Sequence, residues 1–361
     1  MGISIYRNSP SVPMVVGNLL MPALDGSIVI LIPSFNDWAA LRLLLPGIDR
    51  ALTGSKWSAS VLIVDDASTD PIPDDWPGDS FGAIESVTVL HLRCNLGHQR
   101  AIALGLYHAH EFTGASAVLV MDGDGEDRAE DLPTLLEEFE RGNRREAVFA
   151  ARTRRMESLT FQFFYYAYRV IHRILTGIEV RVGNFSVLPR SVLVRLMASS
   201  DVWNHYAAAV DRGRLPRRLL PLPRGRRLEG RSRMNFVSLL IHGLAAMSVF
   251  SDMISARLLA ASAVFAVLGA GLIVGTGMSL AAGILLALAA QSLTFAALFA
   301  LAIVSRRSVA NFLLLRDAPH FILGTTVCWR PSSLARLGAR LNREEQPLAL
   351  EEQPPAARAK A

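Results

Sequence analysis

Asp122 and Asp124 flank a single glycine directly after the apolar run 117–121. Two hard oxygen donors at this spacing suit Mg²⁺ or Mn²⁺ bridging a diphosphate. An isolated pair of this kind is more often a solvated acidic turn, so the weight lies on what accompanies it. An EF-hand is excluded, because Asp127 stands where that loop requires glycine and Pro133 where it requires glutamate. Three further polar clusters follow apolar runs: Pro33-Ser34-Phe35-Asn36, Asp65-Asp66 and Asn95-Leu96-Gly97.

The elements that must position these clusters are four short β-rich runs, 27–32, 59–64, 87–92 and 116–121, with a fifth at 147–151. Stretches with helical spacing lie at 38–52, 99–112 and 132–141. Strands apolar throughout and alternating with helices predict an α/β fold, a mostly parallel sheet with helices on both faces. Ligands of such sheets bind outside the carboxyl ends of the strands, so the four clusters are expected to converge on one crevice.

Residues 258–304 contain no Asp, Glu, Lys, Arg or His and are broken only near Gly275-Thr276-Gly277-Met278-Ser279. At about 20 residues per crossing, this run predicts a two-helix transmembrane hairpin. Arg224, Arg226, Arg227, Arg231, Arg233 and Arg257 precede it, Arg306, Arg307 and Arg316 follow it, and the turn is uncharged. The positive-inside rule then places both ends in the cytoplasm of a cell whose inner membrane the hairpin spans. The net charge of +5 reads as a membrane-surface signal, and no nucleic-acid-binding motif occurs. Two cysteines, Cys94 and Cys328, are too few and too distant for a disulfide framework or a zinc site.

The expected divisions are an N-terminal extension at 1–26, an α/β domain at 27–234 and a juxtamembrane amphipathic helix at 235–257. The hairpin at 258–304 and a cytoplasmic segment with a disordered tail at 305–361 complete the chain. The stretch 159–175, rich in Phe and Tyr beside Arg169, His172 and Arg173, suits either a helix at the membrane interface or one packed on the sheet.

Ile32-Pro33-Ser34-Phe35-Asn36, Val64-Asp65-Asp66-Ala67-Ser68-Thr69-Asp70, Asn95-x-Gly97-x-x-x-Ala101-x-x-x-Gly105 and Met121-Asp122-Gly123-Asp124-Gly125-Glu126 occur in the order and spacing of family 2 glycosyltransferases of the GT-A fold. With the two C-terminal crossings, the chain resembles the dolichyl- and polyprenyl-phosphate glycosyltransferase branch. The resemblance implies a nucleotide-sugar donor, a lipid acceptor, most simply polyprenyl phosphate, and Mg²⁺ or Mn²⁺ on Asp122 and Asp124. It implies that Pro33, Asn36, Asp65, Asp66, Asn95 and Gly97 surround the nucleoside and that Asp122 holds the donor diphosphate. Arg227-x-x-Gly230-x-Ser232-Arg233 is similar to the phosphate-binding signature before the membrane helices of that branch. Arg227, Ser232 and Arg233 are therefore phosphate ligands by resemblance, with a polybasic anchor as the other option. Departures include Asp37 for Glu, Ala67 for Gly, Gly125-Glu126 for Leu-Gln and Asn184 for Asp; the last two bear on the sugar and the acceptor. Asp201, His205 and Asp211 are candidate general bases should the acceptor be a sugar hydroxyl in glycolipid or polysaccharide synthesis. A non-catalytic nucleotide-sugar-binding subunit is the remaining reading, and a homo-oligomer is compatible with each.

Overall fold

The computed structural model describes residues 24–78, 80–152, 159–177, 182–229, 243–276, 279–308 and 313–331. The strands are β1 (Leu24–Ser34), β2 (Ser58–Asp65), β3 (Ile84–Leu92), β4 (Ala115–Val120), β5 (Ala147–Arg152), β6 (Val182–Pro189), β7 (Arg217–Leu222) and β8 (Ile322–Trp329). They form one sheet in the order β7-β5-β6-β4-β1-β2-β3-β8. β6 runs antiparallel to β4 and β5, β8 runs antiparallel to β3, and the other pairings are parallel. The expected mostly parallel α/β sheet is therefore present, with antiparallel pairings only at β6 and β8, and each of the five expected runs is a strand of it.

Helices α1 (Trp38–Leu52) and α3 (Leu132–Arg141) cover one face, where Ile28, Ile30, Ile32, Val61 and Ile63 point. Helix α2 (His98–Phe112) covers the other, where Val29, Leu31, Leu62 and Val64 point. The period-2 alternation of strand side chains thus feeds two cores, which is why the strands are apolar throughout. Gly105 lets α2 approach the sheet: a Cβ there would lie 2.6 Å from Leu31 Cδ1 and 2.7 Å from Val64 Cγ2.

Helix α4 (Leu159–Thr176) precedes β6, and α5 (Arg190–Met197) and α6 (Tyr206–Arg212) follow it. On α4, Tyr166, Val170, Ile171 and Ile174 are exposed, whereas His172, against Phe250, and Thr176, bonded to His172, are buried. An apolar stripe turned outward beside a buried polar pair inverts the usual pattern of a surface helix.

Helices α7 (Ser251–Thr276) and α8 (Ser279–Ser308) form an apolar hairpin, each long and apolar enough to cross a membrane. Small residues at seven-residue spacing line its seam. The hydroxyls of Ser255 and Ser262 donate to Ala296 O and Ala289 O at 2.9 and 2.8 Å, and Gly269 faces Ala282. Close backbone approach of this kind is how helices pack where lipid removes the hydrophobic drive. Outward lie Val267, Val274 and Leu280. The expected boundary at 258 falls inside α7, which starts seven residues earlier; residues 235–242 of the expected juxtamembrane helix lie outside the described residues. The base of the hairpin is docked on the sheet domain. Ala208 of α6 packs with Ala246, Val249 and Phe250, Arg212 pairs with Asp252, and Arg257 Nη1 donates to Ile174 O at 2.7 Å.

After the hairpin the chain returns to the sheet as β8, in a region given to the C-terminal segment from sequence. Trp329 stacks edge-on with Phe81, their ring centroids 5.0 Å apart. β7 ends, and β8 begins, at the edge where the parallel strands have their carboxyl ends. The hairpin and the crevice therefore lie on the same side of the sheet.

Candidate functional site

The four clusters do converge at that edge. Asn36, at φ 52°, ties the first to the second: its backbone N–H donates to Ser68 Oγ at 2.8 Å, its Nδ2 donates to Thr69 Oγ1 at 2.7 Å, and its Oδ1 accepts from Thr69 N–H at 2.8 Å. Pro33, paired with Val64, lies under the acidic loop, with its carbonyl 3.7 Å from where a Gly123 Cβ would be.

Asp65 and Asp66 are both buried and have separate tasks. Asp65 accepts from Ser68 N–H at 2.9 Å and lies 3.1 Å from His91 Nδ1. Burial alone would push its carboxyl up, but the hydrogen bonds from His91 and Ser68 outweigh it and hold the group below the usual carboxylate value. Asp66 accepts Leu96 N–H at 2.7 Å on one oxygen and Gly97 N–H at 2.8 Å on the other. Burial pushes Asp66 up against these two amides, and the neighbouring Asp65 charge adds to the rise. The two amides at the start of α2 are thus occupied by the protein's own carboxylate. Gly97 is the N-cap of that helix, and Asn95 beside it is exposed.

The Asp122-Gly123-Asp124 loop leaves β4 and is shaped by short contacts. Asp122 N–H donates to Asp127 Oδ2 at 2.9 Å, and Asp124 Oδ1 accepts Glu126 N–H at 2.9 Å. Asp127, buried, is a structural member of the loop that spacing did not single out. The arginine segment after β7 is laid across this loop. Gly225 N–H donates to Glu126 O at 2.8 Å, Leu228 N–H donates to Asp124 O at 2.9 Å, and Arg224 pairs with Glu126. Arg227 Nη2 lies 3.4 Å from Asp124 Oδ2 and 3.7 Å from Asp37 Oδ2. Of the expected phosphate ligands, Arg227 is at the crevice, whereas Ser232 and Arg233 lie outside the described residues.

Asp122 and Asp124 are partly accessible, with 20 and 17% of their side chains exposed. Among the described residues no cluster of three or more His, Cys, Asp or Glu could hold a metal by itself. Two carboxylates with open faces fit Mg²⁺ or Mn²⁺, ions that complete their shells with substrate phosphates and water rather than with a protein cage.

Opposite Arg227 stands His98, the first residue of α2. Its Nε2 is 3.3 Å from Asp122 Oδ1 and 2.8 Å from Asn184 Nδ2. His98 follows Gly97 immediately, and only that adjacency could have suggested it from sequence; Asn184 is brought in from 86 residues away by β6. Of the candidate bases, Asp211 is engaged by Arg217 Nε at 2.6 Å, and His205 caps α6, its Nδ1 accepting Ala208 N–H at 3.3 Å.

The description glycosyl transferase family 2 belongs to the family whose model matches residues 29–196. That match covers just under half of the chain, and the chain's enzymatic class is that of a glycosyltransferase. No curated protein matches the chain significantly. Among solved structures, glucosyl-3-phosphoglycerate synthase from Mycobacterium tuberculosis, in complex with Mn²⁺, UDP-glucose and phosphoglyceric acid, is 15% identical. The match covers 64% of this chain and 80% of that one, with a TM-score of 0.44. Mannosyl-3-phosphoglycerate synthase from Rubrobacter xylanophilus is 16% identical over 63% of this chain and 73% of that one, also at 0.44. At that distance neither acceptor nor metal carries over. The family match ends before β7, the arginine segment, the hairpin and β8.

Proposed function

We propose that this family 2 glycosyltransferase transfers one sugar, with inversion, from a nucleotide-sugar donor to a membrane lipid acceptor, polyprenyl phosphate, at the cytoplasmic leaflet. The observation that carries the reading is topological. The two strands flanking the apolar hairpin are the outermost strands of the sheet; β7 ends and β8 begins at its carboxyl edge, and the segment that leaves β7 for the hairpin packs on the acidic loop. A hairpin embedded in a bilayer would hold the crevice at the headgroup level, where a lipid phosphate lies.

In this reading the donor enters over the loops of Asn36, Asp65 and Asp66, its diphosphate reaching Asp122 and Asp124. Mg²⁺ or Mn²⁺ held there would supply neutralisation of the charge that grows on the leaving diphosphate. The acceptor oxygen attacks the anomeric carbon from the side opposite the diphosphate; the new carbon–oxygen bond forms as the bond to the leaving phosphate oxygen breaks. A phosphate oxygen is already anionic near neutral pH and needs little general-base help. That agrees with the engagement of Asp211 by Arg217. Arg227, and Arg233 with Ser232 further along, serve as phosphate clamps; a guanidinium can meet two oxygens at once. The arginine excess before and after the hairpin supports cytoplasmic placement of the sheet domain.

The test is mass spectrometry of lipid-linked products after membranes containing the protein are given a panel of UDP-, GDP- and dTDP-sugars. A sugar joined to polyprenyl phosphate is the expected product. Transfer only to a soluble acceptor or to a sugar hydroxyl would overturn the lipid-phosphate reading.

A further inference from the structure

Gln291 is the only carboxamide side chain between Leu258 and Val304. It stands on α8, within about 2 Å of the middle of the apolar span Leu280–Phe299 at a rise of 1.5 Å per residue. The seam toward α7 is made by Ala282, Ala289 and Ala296. Gln291, two residues past Ala289, lies about 200° around the helix from that seam and so faces away from α7. It is exposed, and its amide makes no hydrogen bond among the described residues.

The neighbouring hydroxyls behave differently. Ser255 and Ser262 donate across the seam, and Thr294 Oγ1 donates back to Ala290 O at 2.9 Å, so each is satisfied within the hairpin. In the bilayer placement of the proposed function, on which this inference rests, the amide of Gln291 would face hydrocarbon, which offers it neither donor nor acceptor. The nearest headgroup region is about 15 Å away, half the thickness of the hydrocarbon core, and a glutamine side chain cannot reach it. The body of a polyprenyl lipid is hydrocarbon too and satisfies nothing. An amide at this depth calls for a hydrogen-bonding partner from another protein chain.

We propose that the partner is a second copy of this chain, with α8 packed against α8 and Gln291 bonded to Gln291. Two copies inserted in the same orientation are related by a two-fold axis along the membrane normal, and such an axis keeps every residue at its own depth. Gln291 therefore meets its own counterpart. A carboxamide carries both a donor and an acceptor, so two of them close a reciprocal pair of N–H···O bonds in a self-complementary interface. Ala287, one turn before, and Thr294, one turn after, are exposed on the same face and are small enough to let the two helices approach. Ile284 and Leu298 lie exposed beyond them and complete the contact.

The test is oxidative cross-linking of the full-length protein in isolated membranes, with Cys94 and Cys328 replaced by serine. Ala287→Cys and Thr294→Cys should each give a disulfide-linked dimer. Val267→Cys, 71% exposed on the outer face of α7, should not; equal cross-linking there would mean chance collision and would overturn the inference. In the Ala287→Cys background, Gln291→Leu should abolish the dimer band, whereas Gln291→Asn, which keeps a carboxamide, should retain it. An undiminished band in Gln291→Leu would overturn the inference, as would cross-linking only to a different protein. Absence of any cross-link in protein that resists alkaline extraction would overturn the dimer and leave the proposed function intact. Release of the protein from membranes by alkaline extraction would remove the bilayer placement and both readings with it.

Discussion

A Cβ at Gly125 would lie 2.3 Å from Leu228 Cγ, so the acidic loop and the arginine segment touch where only glycine fits. Gly125 also has φ +82°, a left-handed conformation that costs an L-residue about 1–2 kcal/mol. From the other side, a Cβ on Gly225 would meet Gly125 O at 2.6 Å. Gly125→Ala should therefore lift the segment 223–228 and carry Arg227 away from Asp124. The expected outcome is at least a tenfold loss of transfer with a lowered melting temperature. Adding Leu228→Ala should recover part of the rate by relieving the clash, though not the conformational cost. Full activity in Gly125→Ala would show that the close packing has no bearing on the site.

Asp122→Ala and Asp124→Ala should each abolish transfer while leaving the protein folded and membrane-bound. Each removes one of two carboxylates available to a metal and diphosphate, and neither side chain belongs to the cores. Wild-type rates in either variant, or full activity in excess EDTA, would count against the metal.

Strands β1 to β5 and helices α1, α2 and α3 were legible because a parallel sheet buries both faces and so writes apolar runs, while its helices write period 3.6; β6 and β7 were not among the expected runs. The convergence of the polar clusters followed from the carboxyl-edge rule. β8 was not legible: Ile322–Trp329 breaks its apolar residues with Gly324-Thr325-Thr326, has no fully buried residue, and lies on the far side of the hairpin in sequence from the strands it joins. Nor was the task of Asp66, because a carboxylate that accepts two backbone amides looks in sequence like one that waits for a ligand. The link from His98 to Asn184 and Gln99 spans 85 or more residues and depends on side-chain amides that leave no periodic trace.

Asp65 gives the fold a pH dependence whose sign follows from its hydrogen bonds. Its pKa in the folded protein is lowered, so its contribution is present in full above the unfolded value of about 3.9 and is lost as pH falls through the folded value. Asp65→Asn should cost roughly 1.5–3 kcal/mol at pH 7, the scale of hydrogen bonds to a charged group. The deficit relative to wild type should hold at pH 5 and shrink below about pH 4. Thermal melting of both proteins in detergent across this range is the measurement; a deficit independent of pH would mean that the charge on Asp65 is not what stabilises.

Arg227 faces Asp124 at 3.4 Å and Asp37 at 3.7 Å, a position from which it can exchange carboxylates for phosphate oxygens. Arg227→Ala should lower transfer roughly tenfold to a hundredfold, the loss expected for a charged hydrogen bond to a phosphate. Arg227→Lys keeps the charge without the planar fork and should recover only part of it. Membrane binding should survive both changes, since one surface arginine contributes only about 1 kcal/mol beside two apolar helices. Kinetics at varied donor and lipid phosphate assign the contact: a raised KM for one substrate names the phosphate it serves, and unchanged kinetics would reduce Arg227 to surface charge.

The return of β8 to the sheet constrains how the hairpin can sit in a bilayer. β7 enters the sheet before α7 and β8 enters it after α8, and both belong to one hydrogen-bonded sheet. Both ends of the hairpin must then lie on the same side of the membrane, which demands two crossings or none. Two helices of 26 and 30 residues, with seams of small residues and apolar outer faces, are long and apolar enough for two crossings. With arginines at both ends and none in the turn, the positive-inside rule predicts the cytoplasm as the shared side. A cysteine placed at Thr276, in a protein whose Cys94 and Cys328 are replaced by serine, should react with an impermeant thiol reagent added to intact cells. A cysteine placed at Arg330 should react only after the membrane is opened. Labelling of position 330 in intact cells would invert the orientation. Protection of position 276 both before and after opening would remove the crossings and, with them, the reason to look for the acceptor in the membrane.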